Sequence, residues 1–551
     1  MTSQRKISTS FSNRQAGGIV SGIHAERIFR IRRGGSEAGF TGSYPNSAQF
    51  LWTAWCFYAI FILHGAGVSL ASFLSVSYRE AMTEKRKIAV VGLWHLGETY
   101  AACLAELGHE VVGIDADEGV ITNLSRGVPP LAEPDISEML AHNIAAGRLR
   151  FSADFGAARA CDVVWMTFDT PVDEEDRADT APIFAASEKI LSHLSDGVFV
   201  IISSQVPVGT TEEIKNFIRK ERPLLAFGIA HVPENLQLGR AVKSFFEPGS
   251  VVIGAEDEKT FDAIEKIFYP STEGEGYPER SEAESKDYGS RPNAAASRRV
   301  IRPLHPKFLR MSIASAETAK HARNAFLATS LAFIYDIADL CEKTGADVTD
   351  VSRALRADPR IGQDAYLDAS IGFSGGTLGR DLRALLKKAE DTGADLPVIA
   401  SALAKNSSRR QMTRRVLQES MGDLAGKTIG IFGVAYKPGT SALRRSLALE
   451  IAKMLRDAGA AVRASDPEAK KEDVEKTGIA FFRDPYEAAE GCHALILITA
   501  WPEFSALDAE KIARIMKEPK LFFDARNFLK DKEEDFKKAG VAYRGVGRSA
   551  R

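Results

Sequence analysis

The sequence predicts an α/β protein: two doubly wound parallel-sheet domains joined by a long central helix. Three stretches carry that prediction. A strand, glycine turn, helix and second strand open near residue 87, and a second, shorter unit of the same kind opens near residue 428. Between them the run 311–345 holds no Gly or Pro before its final residue.

The first unit reads RKIAVVGLWHLGETYAACLAELGHEVVGIDAD. An apolar strand runs into Gly92, a helix follows from about Leu96, Gly108 ends it, and a second strand ends at Asp115. A glycine turn between strand and helix, with an acid about 20 residues on, is the dinucleotide-binding arrangement. The turn sets a pyrophosphate at a helix N-terminus, and Asp115 accepts hydrogen bonds from the ribose hydroxyls, which favours NAD over NADP. GLWHLG keeps Gly92 and Gly97 but puts Trp94 where the middle glycine lets backbone approach phosphate. A Rossmann-like half without nucleotide is the competing reading. Further strands at 161–168, 197–211, 224–235 and 249–256 continue the alternation, placing Thr170, Gln205 and Glu234 at strand C-terminal ends. Ligands of a doubly wound sheet sit beyond those ends.

In 311–345 the apolar residues Phe326, Leu327, Ile334, Ile337, Ala338 and Cys341 recur at helical spacing. Ser312 or Ser315 caps the start and Gly345 closes the end in the left-handed conformation. Such a rod spans roughly 50 Å, enough to bridge two domains. Glu317, Lys320 and Asn324 share one face, so a cation and an amide one turn apart are placed to hold an oxyanion. A solvated Glu–Lys pair is the plainer reading.

The second unit, GKTIGIFGVAYKPGT, begins with a strand at Thr428–Phe432, and further strands follow at 461–464, 493–501 and 520–527. It is either another nucleotide domain or a structural repeat. Lys437 and Arg526, each just past a strand, suit diphosphate or ribose contact, or are solvated charges.

A length of 551 residues suggests about three domains, and 45% hydrophobic with 26% charged residues is ordinary globular composition. A net charge of −2 gives no hint of nucleic acid as partner. The five cysteines lack metal-ligand or disulfide spacing, so a reducing, cytoplasmic setting and no metal are expected. Residues 1–81 begin basic and turn apolar at 50–74, reading as an extension outside the functional unit or as a membrane segment. Polar, aperiodic 269–307 reads as a disordered insert.

In this order the turns resemble the UDP-glucose/GDP-mannose 6-dehydrogenase family. GIDAD (113–117) matches the family's GVDxD, and NLSRGVPPLAEP (123–134) its LNxGxxPxxEP. Thr170-Pro171 matches the TP turn, SQVPVGTT (204–211) the STVPVGTT turn, and PENLQLGRA (233–241) PEFLxEGxA. The helix carries E-x-x-K-x-x-x-N-A-F-L-A from Glu317 to Ala328. DPRIG (358–362), GFSGGTLGRDL (372–382), AYKPGTSALRRSLAL (435–449), TAWPEF (499–504) and DARN (524–527) complete the series.

The resemblance implies an NAD-binding domain at 82–268, a central helical dimerisation domain at 308–405 and a UDP-sugar-binding domain at 406–551. The family oxidises the sugar's C6 hydroxyl to a carboxylate with two NAD, through a thioester on a loop cysteine. Carried over by position, Gly92, Leu96, Gly97, Asp115, Thr170, Gln205 and Arg444 hold the cofactor. Lys320 and Asn324 stabilise oxyanions, Asp381 organises base and water, and Glu234 assists thioester hydrolysis. Arg360 reaches substrate across a homodimer, and Lys437 and Arg526 bind the UDP-sugar.

The departures are specific. Thr377 occupies the nucleophilic cysteine's position, Ser374 and Gly379 replace a loop glycine and proline, Gln205 replaces a threonine, and Leu238 a glutamate. A threonine hydroxyl ionises far above a thiol and needs an adjacent base to attack. Three readings compete: a nucleotide-sugar dehydrogenase, without the covalent step; a non-catalytic nucleotide-sugar-binding paralogue; and another oxidoreductase on the same scaffold.

Overall fold

The computed structural model describes residues 29–33, 36–40, 85–131, 133–168, 170, 178–234, 236–237, 239–268 and 306–548. The apolar run 50–74, most of the 1–81 extension, nearly all of the 269–307 insert, Pro171 and Leu238 lie outside the described residues. Phe29–Arg33 and Ser36–Phe40 pair as an antiparallel hairpin within Met1–Met82. Thr83–Arg551 forms a second compact unit by itself, and everything below concerns that unit.

Its first sheet has eight strands: β1 (Lys87–Val91), β2 (Glu110–Ile114), β3 (Leu149–Ser152), β4 (Val163–Met166), β5 (Val198–Ile202), β6 (Phe227–His231), β7 (Ser250–Ala255) and β8 (Lys307–Met311). They lie in the order β8-β7-β6-β5-β4-β1-β2-β3. All neighbours are parallel except β6 and β7, so β7 and β8 run against the rest. Side chains alternate across a strand. Ile88 and Val90 therefore join one apolar layer and Ala89 and Val91 the other, as a sheet covered on both faces requires.

The second sheet is wholly parallel: β9 (Thr428–Phe432), β10 (Ala461–Ser465), β11 (Ala480–Phe482), β12 (Ala494–Leu497), β13 (Leu521–Asp524) and β14 (Ala542–Gly545), ordered β11-β10-β9-β12-β13-β14. In both sheets the chain reverses its direction of winding beside the first strand, the switch point at which such folds bind ligands.

Of the helices, five position the site: α1 (His95–Glu106), α2 (Thr210–Glu221), α3 (Ile313–Thr344), α4 (Arg380–Thr392) and α5 (Pro397–Met421). The central rod is α3, 32 residues long. The Ser312 hydroxyl accepts from the Ser315 N–H at its start, and Gly345 ends it at φ 78°. Its first turns pack on the first domain, where Ile313 joins the apolar layer of Ala89 and Val91. Further along, Tyr335, Ala338 and Cys341 share a core with α5 and with Ile429 and Ile431 of β9. Phe326 departs from the expected apolar stripe: it is 73% exposed, because the helix's inner face is taken by small residues such as Ala325 and Ala328.

Gly254 of β7 sets how closely α3 approaches. A Cβ there would lie 2.6 Å from Ala316 Cβ and 2.9 Å from Ile313 Cα. Gly254→Ala must displace the helix, and overpacking of this kind costs about 1–3 kcal/mol. The expected outcome is a lower melting temperature in thermal unfolding.

Candidate active site

The cofactor turn follows from the β1–α1 connection. Gly92 takes φ 91°, a conformation only glycine adopts freely. A Cβ on Gly97 would stand 1.8 Å from the Gly92 carbonyl oxygen, so helix and turn pack at a distance no other residue permits. Leu96 is buried beneath the turn. Asp115, directly after β2, accepts from the Leu93 N–H at 2.7 Å and from Asp117 N–H at 3.0 Å. No side chain caps the N-terminus of α1. Trp94 is 47% exposed. The arrangement fits a dinucleotide: glycines where backbone must approach, helix N–H groups without a side-chain cap, and an acid at the ribose position.

Glu133 braces this turn from beside it. Its buried carboxylate accepts from His95 Nε2 at 2.8 Å, Gly239 N–H at 2.6 Å and Ala241 N–H at 3.2 Å. Burial works to raise this carboxyl, and the three donors together hold it below the usual range. Lys437, from the loop after β9, lies close to Gly239, and burial pushes its ammonium down against the opposing pull of Glu133.

The polar face of α3 meets three loops at the strand ends. Glu317, 1% exposed, accepts from the N–H groups of Gly209 at 2.6 Å and Thr211 at 2.9 Å. It thus caps α2 and complements that helix's dipole. The solvated-pair reading fails here, because Glu317 and Lys320 are both buried and have different partners. Lys320 donates to the Glu234 carboxylate and, at 3.0 Å, to the Glu234 carbonyl oxygen. Asn324 donates through Nδ2 to Asp381 Oδ2. Gln205 donates through Nε2 to Asp381 Oδ1 at 2.5 Å, and His321 Nδ1 lies 3.2 Å from that same oxygen.

Asp381 is wholly buried at the start of α4. Burial alone raises a carboxyl, yet the hydrogen bond and charge of His321, the Lys320 ammonium and the Asn324 amide outweigh it and hold Asp381 below its ordinary range. His231, at the end of β6, is pushed down to about 3 by burial and by the charges of His321 and Lys320.

The structure thus brings Gln205, Glu234, Lys320, Asn324 and Asp381 into one cluster. Thr170 joins it more loosely, its carbonyl accepting from Arg380 Nη1 at 3.4 Å. Thr377 sits half-buried in the π-helical turn Gly375–Gly379, which runs directly into α4. Arg444 and Arg526 are exposed beyond the second sheet. Arg360 is also outside the cluster, exposed and paired with Asp358 at 2.6 Å. His321, Glu133 and Arg380 were not picked out by sequence. Of these, Glu133 and Arg380 stand at specified positions of matched motifs, and His321 at an unspecified one.

Family models of the UDP-glucose/GDP-mannose dehydrogenase family match three segments: the NAD-binding domain at 86–272, the central domain at 314–408 and the UDP-binding domain at 430–531. A UDP-glucose 6-dehydrogenase of Rhizobium meliloti is 35% identical over 84% of this chain and 99% of its own length. One from Bacillus subtilis is 32% identical over 84% and 94%. Among solved structures, a UDP-glucose dehydrogenase of Pyrobaculum islandicum superposes with a TM-score of 0.71 at 27% identity, covering 85% of this chain and 99% of that one.

Two outcomes follow from the buried carboxylates. Glu317→Ala leaves two backbone N–H groups without partners at about 1–3 kcal/mol each, read as a lower denaturation midpoint. Because the folded-state value of Asp381 is depressed, its contribution to stability is present above the unfolded value near 3.9 and is lost as pH falls below it. Acid unfolding of Asp381→Asn is therefore expected to lack that part of the pH dependence.

Proposed function

This chain belongs to the UDP-glucose/GDP-mannose dehydrogenase family, and we propose that it oxidises the C6 hydroxyl of a UDP-sugar to the aldehyde, with NAD as oxidant. The observation that carries this is the α3 face, where an ammonium and a carboxamide one turn apart stand among the loops at the strand ends of the cofactor domain. Bound NAD supplies the hydride acceptor. Lys320 and Asn324 stabilise the alkoxide from which hydride leaves, since fixed donors in a dry site act on developing negative charge. Glu234 fixes the Lys320 ammonium in place. Gly92, Leu96, Gly97, Asp115 and Thr170 form the cofactor seat, with Arg444 reaching toward it. Lys437 and Arg526 hold the UDP-sugar.

Oxidation beyond the aldehyde lacks its machinery. Thr377 has no thiolate to offer, and Asp381 already receives three hydrogen bonds and is held ionised, which makes it a poor base for a hydrate. The wild-type chain is expected to release one NADH per UDP-glucose, followed by absorbance. Thr377→Cys is expected to move the yield toward two. Two equivalents from the wild type would sink the two-electron reading, and none would favour the paralogue that binds without turnover.

The partner surface is the outer stripe of α3. Phe326, Phe333 and Leu340 are 73%, 49% and 56% exposed at seven-residue steps, the spacing of a helix seam. We read it as the contact between two copies of this chain, which also brings Arg360 of one copy toward the substrate of the other. By length and composition α3 would pass as a membrane span, but 44% of its most apolar window is buried inside the fold. Cys103, Cys161, Cys341 and Cys492 are buried and unpaired, in keeping with a reducing cytoplasm. Phe326→Asp is expected to halve the mass measured by light scattering.

A further inference from the structure

His321 is a titratable side chain in contact with this cluster that the proposed chemistry leaves unused. It is 3% exposed, and each ring nitrogen faces an oxygen. Nε2 lies 2.9 Å from the Val206 carbonyl and Nδ1 3.2 Å from Asp381 Oδ1. A carbonyl oxygen accepts only, and an ionised carboxylate accepts only. Either neutral tautomer therefore turns one ring lone pair against an oxygen lone pair at hydrogen-bond distance. An imidazolium satisfies both contacts with two N–H donors.

We propose that His321 is a positioning residue of the oxidation site: as an imidazolium held between Val206 and Asp381, it fixes Asp381 as a permanent anion, which in turn orients the Asn324 and Gln205 amides. The surroundings support this. On the same helix, Lys320 is charge-compensated by Glu234 and Glu317 is consumed by the α2 N-terminus. From β6, His231 stays neutral and bonds Thr211 at 3.3 Å. From α4, Asp381 is the only acid in direct contact with the ring among the described residues, and from the loop after β5 come the Val206 carbonyl and the Gln205 amide. One cation thus serves one anion, and Asp381 gains a donor that removes no N–H from Lys320 or Asn324. Removing one member of a buried pair leaves the other uncompensated.

The kinetic arm of the test rests on the dehydrogenase reading, and the spectroscopic arm does not. Nitrogen-15 NMR of the imidazole rings in the whole chain is expected to find one buried ring with both nitrogens protonated at neutral pH, reverting to a single N–H in Asp381→Asn. Finding only singly protonated buried rings overturns the proposal. In kinetics with UDP-glucose, His321→Gln, which keeps a donor but not the charge, is expected to lower kcat by roughly tenfold to a hundredfold with little change in KM. An unchanged kcat in a folded His321→Gln overturns the positioning role. Should the wild type turn over no UDP-sugar while the doubly protonated ring is present, the dehydrogenase reading fails and the ion pair stands.

Discussion

A charged group can be buried only where its charge is met, and the architecture around α3 is arranged by that constraint. Glu317, Lys320, His321 and Asn324 all lie within two turns of one helix, and all are nearly or wholly buried. Glu317 reaches the α2 start, Lys320 reaches the loop after β6, and His321 and Asn324 reach α4. Three separate pieces of chain are therefore tied to one rod by hydrogen bonds that are costly to leave unmade. Close packing on Gly254 fixes where the rod lies, and the buried charges fix which loops come to it. Positioning of this sort is what a reaction that develops negative charge on oxygen requires.

The two sheets use the same position after their second strand in opposite ways. Asp115, after β2, accepts from two backbone N–H groups and stays partly exposed. Asp466, after β10, is wholly buried and receives the N–H groups of Val434, Ala435, Glu468 and Ala469 as well as the Trp501 indole. The carboxylate that could meet a ribose in the first domain is spent in the second on fastening the turn. A Cβ at Gly433 would lie 2.4 Å from the Thr499 carbonyl, so that turn is closed against its neighbour as well. What remains to meet a ligand is Lys437, farther along the same loop. This is a physical reason for one topology to hold a dinucleotide in one half and something else in the other.

Much of this was legible in the chain. The Ser312 cap, the Gly345 stop and the glycine turn at 92–97 are local, so spacing alone reveals them. The clustering of Glu234, Lys320, Asn324 and Asp381 followed from motif order, whereas composition and period alone left Glu317 and Lys320 as a plausible solvated pair. The rest depends on distance along the chain. His321 bonds partners 60 and 115 residues away, and nothing in its neighbours announces either. Phe326 looked like core because its spacing matched, but period cannot say which of two apolar faces a helix buries.

The threonine at position 377 and the form of the polar cluster bear on the same chemistry. A covalent aldehyde oxidation needs a nucleophile and then a base to deliver water to the acyl group. Gln205 stands where the resemblance places a threonine at the water, and its amide nitrogen is bound to Asp381. With His321 and Asn324 as the other donors, the carboxylate is surrounded by groups that favour its charged form and oppose its taking a proton. A cluster so satisfied is well suited to hold Asn324 and Lys320 at a fixed geometry and poorly suited to proton transfer. Gln205 and Thr377 thus point the same way: the groups suited to stabilise an alkoxide are present, and no thiol stands where the resemblance places the nucleophile.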